Sequence, residues 1–212
     1  FYSNISGSIT TSDPDGSKKP FLKPLAKPGE LDVAVQTSGI LIHFCSALFR
    51  KSIFLAEAEA DPWPFESPEI CFEDLQLASI YAHNAAVAYI PDVTLYYTVG
   101  QDSFSHTTDL EKDFRFNFSL IKLKHHYAER FRLPHAPLRH SGIRLARFLY
   151  STAIILRDDD RLRKVDSFFR ENRLPRPWRC RISMFIAGLP AVGPLYARIK
   201  KYHHYWRLKK WT

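Results

Sequence analysis

The segment CFEDLQLASIYAHN, residues 71–84, decides how the first half of this chain is interpreted. Apolar side chains recur through it at helical spacing, and Asn84 is a residue type that commonly ends a helix. The segment therefore predicts a helix over 73–83. Two carboxylates, Glu73 and Asp74, fall in the first turn of that helix.

The segments around this helix predict strands and a loop. Phe1–Thr11, Val87–Ile90 and Val93–Val99 are rich in β-branched and aromatic residues, which favours strands. Ala56–Pro68 is acidic and aromatic and contains three prolines, which predicts a loop. The front half is therefore expected to be mixed α/β.

The back half has a helical pattern. Thr108-Asp109-Leu110-Glu111 is a capping box, and it predicts a helix that ends at Leu133-Pro134. Periodic apolar residues predict further helices over Ser141–Arg157 and Arg161–Glu171, and a last one from about Leu195 to Trp211.

Composition limits the class of protein. A chain of 212 residues with 45% hydrophobic residues can bury its own core, which excludes a collagen-like or mainly disordered protein. Three widely spaced cysteines, Cys45, Cys71 and Cys180, form no disulfide framework, so a reducing, cytosolic compartment is expected. Two uncharged stretches, Ala34–Phe49 and Ile182–Ala197, are shorter than the roughly 20 residues of a membrane span.

The ordered series of segments that follows the proline-rich loop resembles the C-terminal half of a family 2 glycosyltransferase with a GT-A fold. The resemblance depends on five features in order: the aromatic loop at Phe65, the Glu73-Asp74 pair at a helix start, a strand ending near Pro91, the Tyr96-Tyr97 strand, and the Gly100–His106 loop.

The resemblance implies an α/β fold class, with residues 1–106 as the acceptor-side half of a GT-A domain and residues 107–212 as a basic helical region. It implies transfer of a sugar from a nucleotide-sugar donor to an acceptor hydroxyl, with inversion, in cell-surface polysaccharide or lipopolysaccharide synthesis. The family's Asp-x-Asp metal motif is expected upstream of Phe1, because Asp13-Pro14-Asp15 lies in a Pro-Gly turn. The chain is therefore expected to be an N-terminally truncated fragment that is inactive alone.

By the same resemblance, Asp74 is the catalytic base that takes the proton of the acceptor hydroxyl, and Glu73 contacts the acceptor or shapes the site. A base is needed as the hydroxyl attacks, and a helix N-terminus favours an ionised carboxylate. The residues alone leave an alternative open, in which both acids only complement the helix dipole.

The remaining site residues are carried over in the same way. Trp63 and Phe65 are expected to form an acceptor wall, or else to anchor a proline-rich loop. Ser103 is expected to hydrogen-bond the diphosphate, and His106 to add a ligand to Mg²⁺ or Mn²⁺; each has the alternative of an ordinary loop residue. The adjacent His125-His126 pair lacks the i, i+4 spacing of a helical metal clamp.

The C-terminal region is strongly basic. Residues 1–106 carry a net charge of −7 and residues 107–212 a net charge of +15. Leu195, Ile199, Tyr202 and Trp206 form an apolar stripe among basic residues, which predicts binding to an anionic membrane surface through 195–212.

Packing of that stripe on the rest of the protein is the alternative. The expected location is cytoplasmic, peripheral to the inner face of a bacterial cell membrane, with a saccharide or lipid-linked acceptor. No nucleic acid is expected as partner. The rival interpretation is a non-catalytic basic module that binds a membrane surface or a nucleic acid.

Overall fold

The structure is a computed structural model, and it describes residues 4–5, 25–38, 47–71, 73–88, 96–97 and 109–209. Helices make up 73% of these residues. The expected α/β portion of a GT-A fold is therefore wrong for the described part of the chain. Its strands are only two residues long and pair two by two, whereas three or more strands with an apolar face are needed for a stable sheet.

The described strands form two separate pairs. They are β1 (Asn4–Ile5), β2 (Leu25–Ala26), β3 (Val87–Ala88) and β4 (Tyr96–Tyr97). β1 runs parallel to β4, with Asn4 opposite Tyr96, and β2 runs antiparallel to β3, with Ala26 opposite Val87. β1, β3 and β4 fall within segments whose composition predicted strands, and most of the remaining residues of those segments lie outside the described part of the chain.

Helices account for most of the architecture. Those in the described residues are α1 (Asp32–Ser38), α2 (Lys51–Ala60), α3 (Trp63–Glu66), α4 (Glu73–Asn84), α5 (Leu110–Arg130), α6 (His135–Leu156), α7 (Asp159–Glu171), α8 (Trp178–Ala187) and α9 (Gly193–Lys209). α4 confirms the helix predicted over 73–83, and α5, α6, α7 and α9 confirm the four predicted in the back half.

Two helices, α2 and α3, occupy much of the segment that was predicted to be a loop. Lys51–Ala60 is rich in Ala, Glu and Leu, which are strong helix formers. Pro62 is the N-cap of α3, and Pro64 lies in its first turn, where a missing N–H group breaks no helical hydrogen bond. The prolines therefore start a helix here and do not exclude one.

The chain divides into two compact units. The first comprises residues 1–108 and 119–138, and the second comprises residues 109–118 and 139–212. The assignment of residues 1–106 and 107–212 to different functions stays a prediction.

In the first unit, α4 is the central element of the core. All residues from Leu75 to Ala82 are buried. Val35 of α1 and Leu123 and Tyr127 of α5 belong to the same apolar cluster. Burying each large apolar side chain contributes about 1.5–3 kcal/mol, so this cluster is a main source of stability for the unit.

Polar side chains inside this core are linked to one another. Gln36 Nε2 donates to Ser79 Oγ at 2.8 Å, and Ser79 Oγ donates to Leu75 O at 2.7 Å. His83 Nδ1 lies 2.7 Å from Oδ2 of the buried Asp32. These bonds join α1 to α4 and give partners to buried groups, although Gln36 Oε1 and Asp32 Oδ1 have none among the described residues.

The second unit has its own core and its own polar centre. Val165 and Phe169 of α7 are fully buried, and Asp158 caps α7 by accepting from Arg161 N at 2.9 Å. Asp166 accepts from Tyr150 Oη at 3.0 Å and from Arg176 at 2.6 Å. Burial raises the pKa of Asp166, but the two hydrogen bonds and the positive charges of Arg176 and Arg170 together outweigh it, so the net pKa lies below the usual value.

No helix among the described residues is long and apolar enough to cross a membrane.

We predict that Asp113 on α5 makes stability depend on pH. Burial raises the pKa of Asp113 to about 6, although a hydrogen bond from Asn117 Nδ2 lowers it. The carboxyl of an unfolded chain titrates near pH 4, so its contribution to stability is fully present below about pH 4 and is lost as the pH rises through about 6. Asp113→Asn, which stays neutral, should therefore be more stable than the wild type above about pH 7.

Urea unfolding of both proteins at several pH values checks this expectation. The difference in unfolding free energy should shrink toward about pH 4. Asp159→Asn, an exposed aspartate in the first turn of α7, serves as the control that removes a carboxylate without relieving burial. A difference for Asp113→Asn that stays constant with pH would contradict the prediction.

Candidate functional site

The two carboxylates singled out by the sequence lie where the buried helix α4 begins. Glu73 and Asp74 form its first turn, Glu73 exposed and Asp74 half-buried, and the residues after them are buried. The free N–H groups and the dipole of a helix favour negative charge at this end. The position suits an ionised base, and it also suits a pair of acids that only complement the dipole.

The aromatic segment is tied to the same end of α4. Gln76 Nε2 donates to Pro64 O at 2.6 Å, so α3 is held against the first turns of α4. The connection between the two helices is fixed as well, since Cys71 N donates to Ser119 Oγ at 3.0 Å. Cys71 itself is half-buried.

Trp63 and Phe65 have different surroundings, although both were expected to form an acceptor wall. Phe65 packs edge-on against Phe54, with ring centroids 5.3 Å apart, and belongs to the margin of the apolar core. Trp63 keeps 39% of its surface exposed. Phe65 therefore fits the alternative of a loop anchor, while Trp63 has surface available for a ligand.

A group of charged residues that the sequence did not reveal lies beside Trp63. The His126 ring lies against the Trp63 ring at a centroid distance of 4.5 Å. His126 Nε2 is 2.6 Å from Asp61 Oδ2, and Arg130 Nε is 3.4 Å from the same oxygen. Arg130 Nε also donates to Glu57 Oε1 at 2.6 Å.

The sequence pattern that indicates this group consists of two pairs of residues, each pair spaced four positions apart. Glu57 and Asp61 share one side of the end of α2, and His126 and Arg130 share one side of α5. The sequence offered His125-His126 only as a possible metal clamp. The residue four positions after His126 is an arginine, so the pairing of His126 and Arg130 with the acids of α2 was not predicted.

The electrostatics of this group extend to Tyr127. Its side chain is fully buried, and its hydroxyl has no hydrogen-bond partner among the described residues. Burial raises the pKa of Tyr127, and the carboxylates of Asp61 and Glu57 raise it further. The phenol therefore stays protonated at physiological pH, which leaves a neutral hydroxyl next to an ionic group.

The diphosphate and metal parts of the expected site lie outside the described residues. This applies to Ser103 and to His106; the Asp13-Pro14-Asp15 turn, which was not expected to hold the metal, also lies outside the described residues. Among the residues that the structure describes, no group of three or more His, Cys, Asp or Glu side chains is placed to hold a metal ion. Binding of Mg²⁺ or Mn²⁺ stays a prediction.

The apolar stripe of α9 faces solvent. Leu195, Ile199 and Tyr202 are all exposed, with 59% of Leu195 accessible. Trp206, the fourth member, lies outside the described side chains. Packing of the stripe on the protein, the alternative that the sequence left open, therefore does not occur for these three residues.

Comparisons of the chain with protein-family models, curated proteins and solved structures found no match. The glycosyltransferase interpretation therefore depends on the residues of the chain itself. Among the described ones, these are the carboxylates of α4 and the exposed tryptophan of α3.

We predict that Arg130 stabilises the first unit through Glu57 and Asp61, whose side chains are only 12% and 10% exposed. Arg130→Met keeps an apolar stem but leaves both acids without this partner, so the free energy of unfolding should fall by about 1–3 kcal/mol. Arg163→Met removes an arginine whose pair with Asp160 is mostly exposed, and it should cause no resolvable change. Equal effects of the two variants in chemical denaturation would show that the Arg130 pairs contribute nothing specific.

Proposed function

We propose that this chain takes part in glycosyl transfer, with Asp74 as the base that accepts the proton of the attacking acceptor hydroxyl. The observation that carries the proposal is the hydrogen bond from Gln76 to Pro64, which holds the carboxylate end of α4 and the aromatic helix α3 together. The helix that begins with Glu73 and Asp74 is thereby held to the helix that carries the exposed Trp63, and carboxylates and aromatic faces are both groups that suit a sugar.

The position of Asp74 fits the role of the base better than that of Glu73. Asp74 is half-buried, whereas Glu73 is exposed. Partial exclusion of water strengthens the interaction of a carboxylate with a substrate hydroxyl, and the helix N-terminus favours its charged form. Glu73 remains accessible on the rim, where it can accept hydrogen bonds from other hydroxyls of the acceptor.

Trp63 supplies the apolar part of the acceptor site. The faces of aromatic rings pack on the C–H surfaces of sugars, and a rigid indole loses little conformational entropy when it binds. The contact with His126, which is itself held by Asp61, fixes the Trp63 ring in place. A saccharide or lipid-linked saccharide is therefore the proposed acceptor.

The donor is proposed to be a nucleotide sugar. A divalent cation, Mg²⁺ or Mn²⁺, would neutralise its diphosphate when bound. The part of the reaction derived from the described residues is limited to the acceptor: orientation by Trp63 and Glu73, and proton removal by Asp74.

The proposed location is the cytoplasmic face of a bacterial cell membrane, with peripheral attachment through the C-terminal region. The exposed stripe of α9 and the basic residues around it support this location. Lipid-linked acceptors would be reached at such a surface.

We predict that Asp74→Asn in the native protein lowers the turnover of sugar transfer by about 10²–10⁴-fold, because the amide cannot accept the proton. The circular dichroism spectrum and the affinity for the acceptor should be retained. Asp159→Asn removes a first-turn carboxylate from α7 and should leave turnover unchanged. Equal turnover of the two variants would mean that Asp74 only complements the helix dipole.

We also predict that Trp63→Ala weakens binding of the saccharide acceptor by about three- to tenfold, since one aromatic contact is worth about 0.5–1.5 kcal/mol. Trp63→Phe keeps an aromatic face and should retain most of the affinity. Calorimetric titration with the acceptor measures both. Wild-type affinity in Trp63→Ala would remove Trp63 from the site.

A further inference from the structure

The last two helices form a tight antiparallel hairpin. Ser183 and Tyr196 share a hydrogen bond of 2.8 Å between their hydroxyl groups, and Ala187 lies beside Gly193 closer to the turn. A Cβ atom at Gly193 would come within 2.2 Å of Ala187 O, so only glycine allows this approach. The hairpin of α8 and α9 is therefore a defined structural unit with a turn over residues 188–192.

The end of this hairpin is apolar and exposed. Eight of the twelve exposed large apolar side chains in the described residues lie between 178 and 202. Those nearest the turn are Ile182, Phe185, Leu189, Val192 and Leu195, and Phe185 is 72% exposed. No residue from Ile182 to Ala197 carries a charge at neutral pH. We call residues 182–197 the hairpin tip.

Basic residues lie on both sides of the hairpin tip. Arg179 and Arg181 precede it, and Arg198 and Lys201 follow it, all four exposed. After Glu171 the sequence contains ten Lys and Arg residues and no Asp or Glu. The surface that bears the exposed apolar residues is therefore surrounded by positive charge without acids in the same segment.

The length of the hairpin tip matches the depth of a membrane interface. Arg181 is seven residues from Gly188, which at the helical rise of 1.5 Å per residue spans about 10 Å. Val192 to Arg198 spans about 9 Å by the same measure. Helices that bind membrane surfaces bury their apolar residues about 5–10 Å into the boundary between headgroups and acyl chains.

We propose that the hairpin tip inserts, turn first, into the interface of an anionic phospholipid bilayer, with Arg179, Arg181 and Arg198 at the level of the phosphates. The inference rests on the peripheral attachment proposed above and specifies how it is made. The sequence predicted only residues 195–212, as one amphipathic helix on the surface. The structure adds α8 and the turn to this surface. Both carry exposed apolar side chains that lie outside α9.

The charge of the hairpin favours an anionic bilayer as its partner over a second copy of the chain or a nucleic acid. A second copy of the hairpin would bring like charges together around the apolar tip, which is unfavourable. A nucleic acid would pair with the arginines, but nucleic-acid backbones offer nothing to an uncharged tip that displays Phe185, Leu189 and Val192. An anionic bilayer matches both features, because phosphates and apolar chains lie at successive depths.

Co-sedimentation with vesicles tests the proposal. The protein should bind vesicles of phosphatidylcholine mixed with phosphatidylglycerol at least about tenfold more tightly than vesicles of phosphatidylcholine alone, and added salt should weaken this binding. Equal binding to both kinds of vesicle would overturn the role of the arginines. Absence of binding to either would overturn the peripheral attachment as well, without bearing on the role of Asp74 with a soluble acceptor.

The double variant F185S/V192S should lower binding to the mixed vesicles by at least about tenfold, because two apolar side chains no longer enter the bilayer. L48S/L55S removes two exposed leucines from the first unit and should bind as the wild type does. I199S/Y202S, which alters the stripe of α9, should have the smaller effect of the two hairpin variants. A larger loss from I199S/Y202S than from F185S/V192S would show that α9 lies flat and would overturn insertion of the turn.

Charge reversals separate a local effect from a change of net charge. R179E/R181E should abolish the preference for anionic vesicles, whereas R50E/K51E, which makes the same change at the start of α2, should retain most of it.

The rival partners are tested with the same proteins. Dissociation of a wild-type dimer by F185S/V192S, or binding of RNA that outcompetes the mixed vesicles, would overturn the proposal.

Discussion

Burial of α4 on all sides is the constraint on which the first unit depends. A helix whose residues from Leu75 to Ala82 are all buried has no side that faces solvent, so α1, α2 and α5 must pack around it. The polar groups that this enclosure traps need partners, and Ser79 finds them in Gln36 and in the backbone of its own helix. Only the ends of α4 reach solvent, and these ends are where polar chemistry is possible.

The same constraint explains why the carboxylates proposed for the site lie at the first turn of α4. Asp32, a carboxylate that is 5% exposed, lies 2.7 Å from His83, which supplies the polar partner that a buried carboxylate requires. Asp74 lies instead at the margin of the core and at the positive end of the helix, a position that favours negative charge. A carboxylate one or two turns further along α4 would be surrounded by Ile80 and its apolar neighbours and would be a poor base.

Local signals made several elements predictable, and long-range contacts explain the failures. The start of α5 was predictable to within one residue because its cap is local: the capping box begins at Thr108, and it is Asp109 Oδ1 that accepts from Glu111 N at 2.9 Å. The bounds of α4 were predictable, but its complete burial was not, because it depends on α1, about forty residues earlier. The prolines of α3 predicted a loop, which is wrong because they lie at the start of a helix. The pair of Asp61 and His126 joins residues 65 positions apart, which no spacing within one segment reveals.

The structure explains part of the charge difference between the two halves of the sequence. Arg130 pairs with Glu57 and Asp61, and Lys122 pairs with Glu69, so acids of the front half are matched by bases of α5. Part of the imbalance is therefore cancelled within the first unit. After Glu171 the sequence offers no acid, and Arg176 reaches back to Asp166 for its partner. Because salt screens charges beyond about 10 Å, the density of bases around the hairpin tip governs attraction to an anionic surface more than the net charge of +8 does.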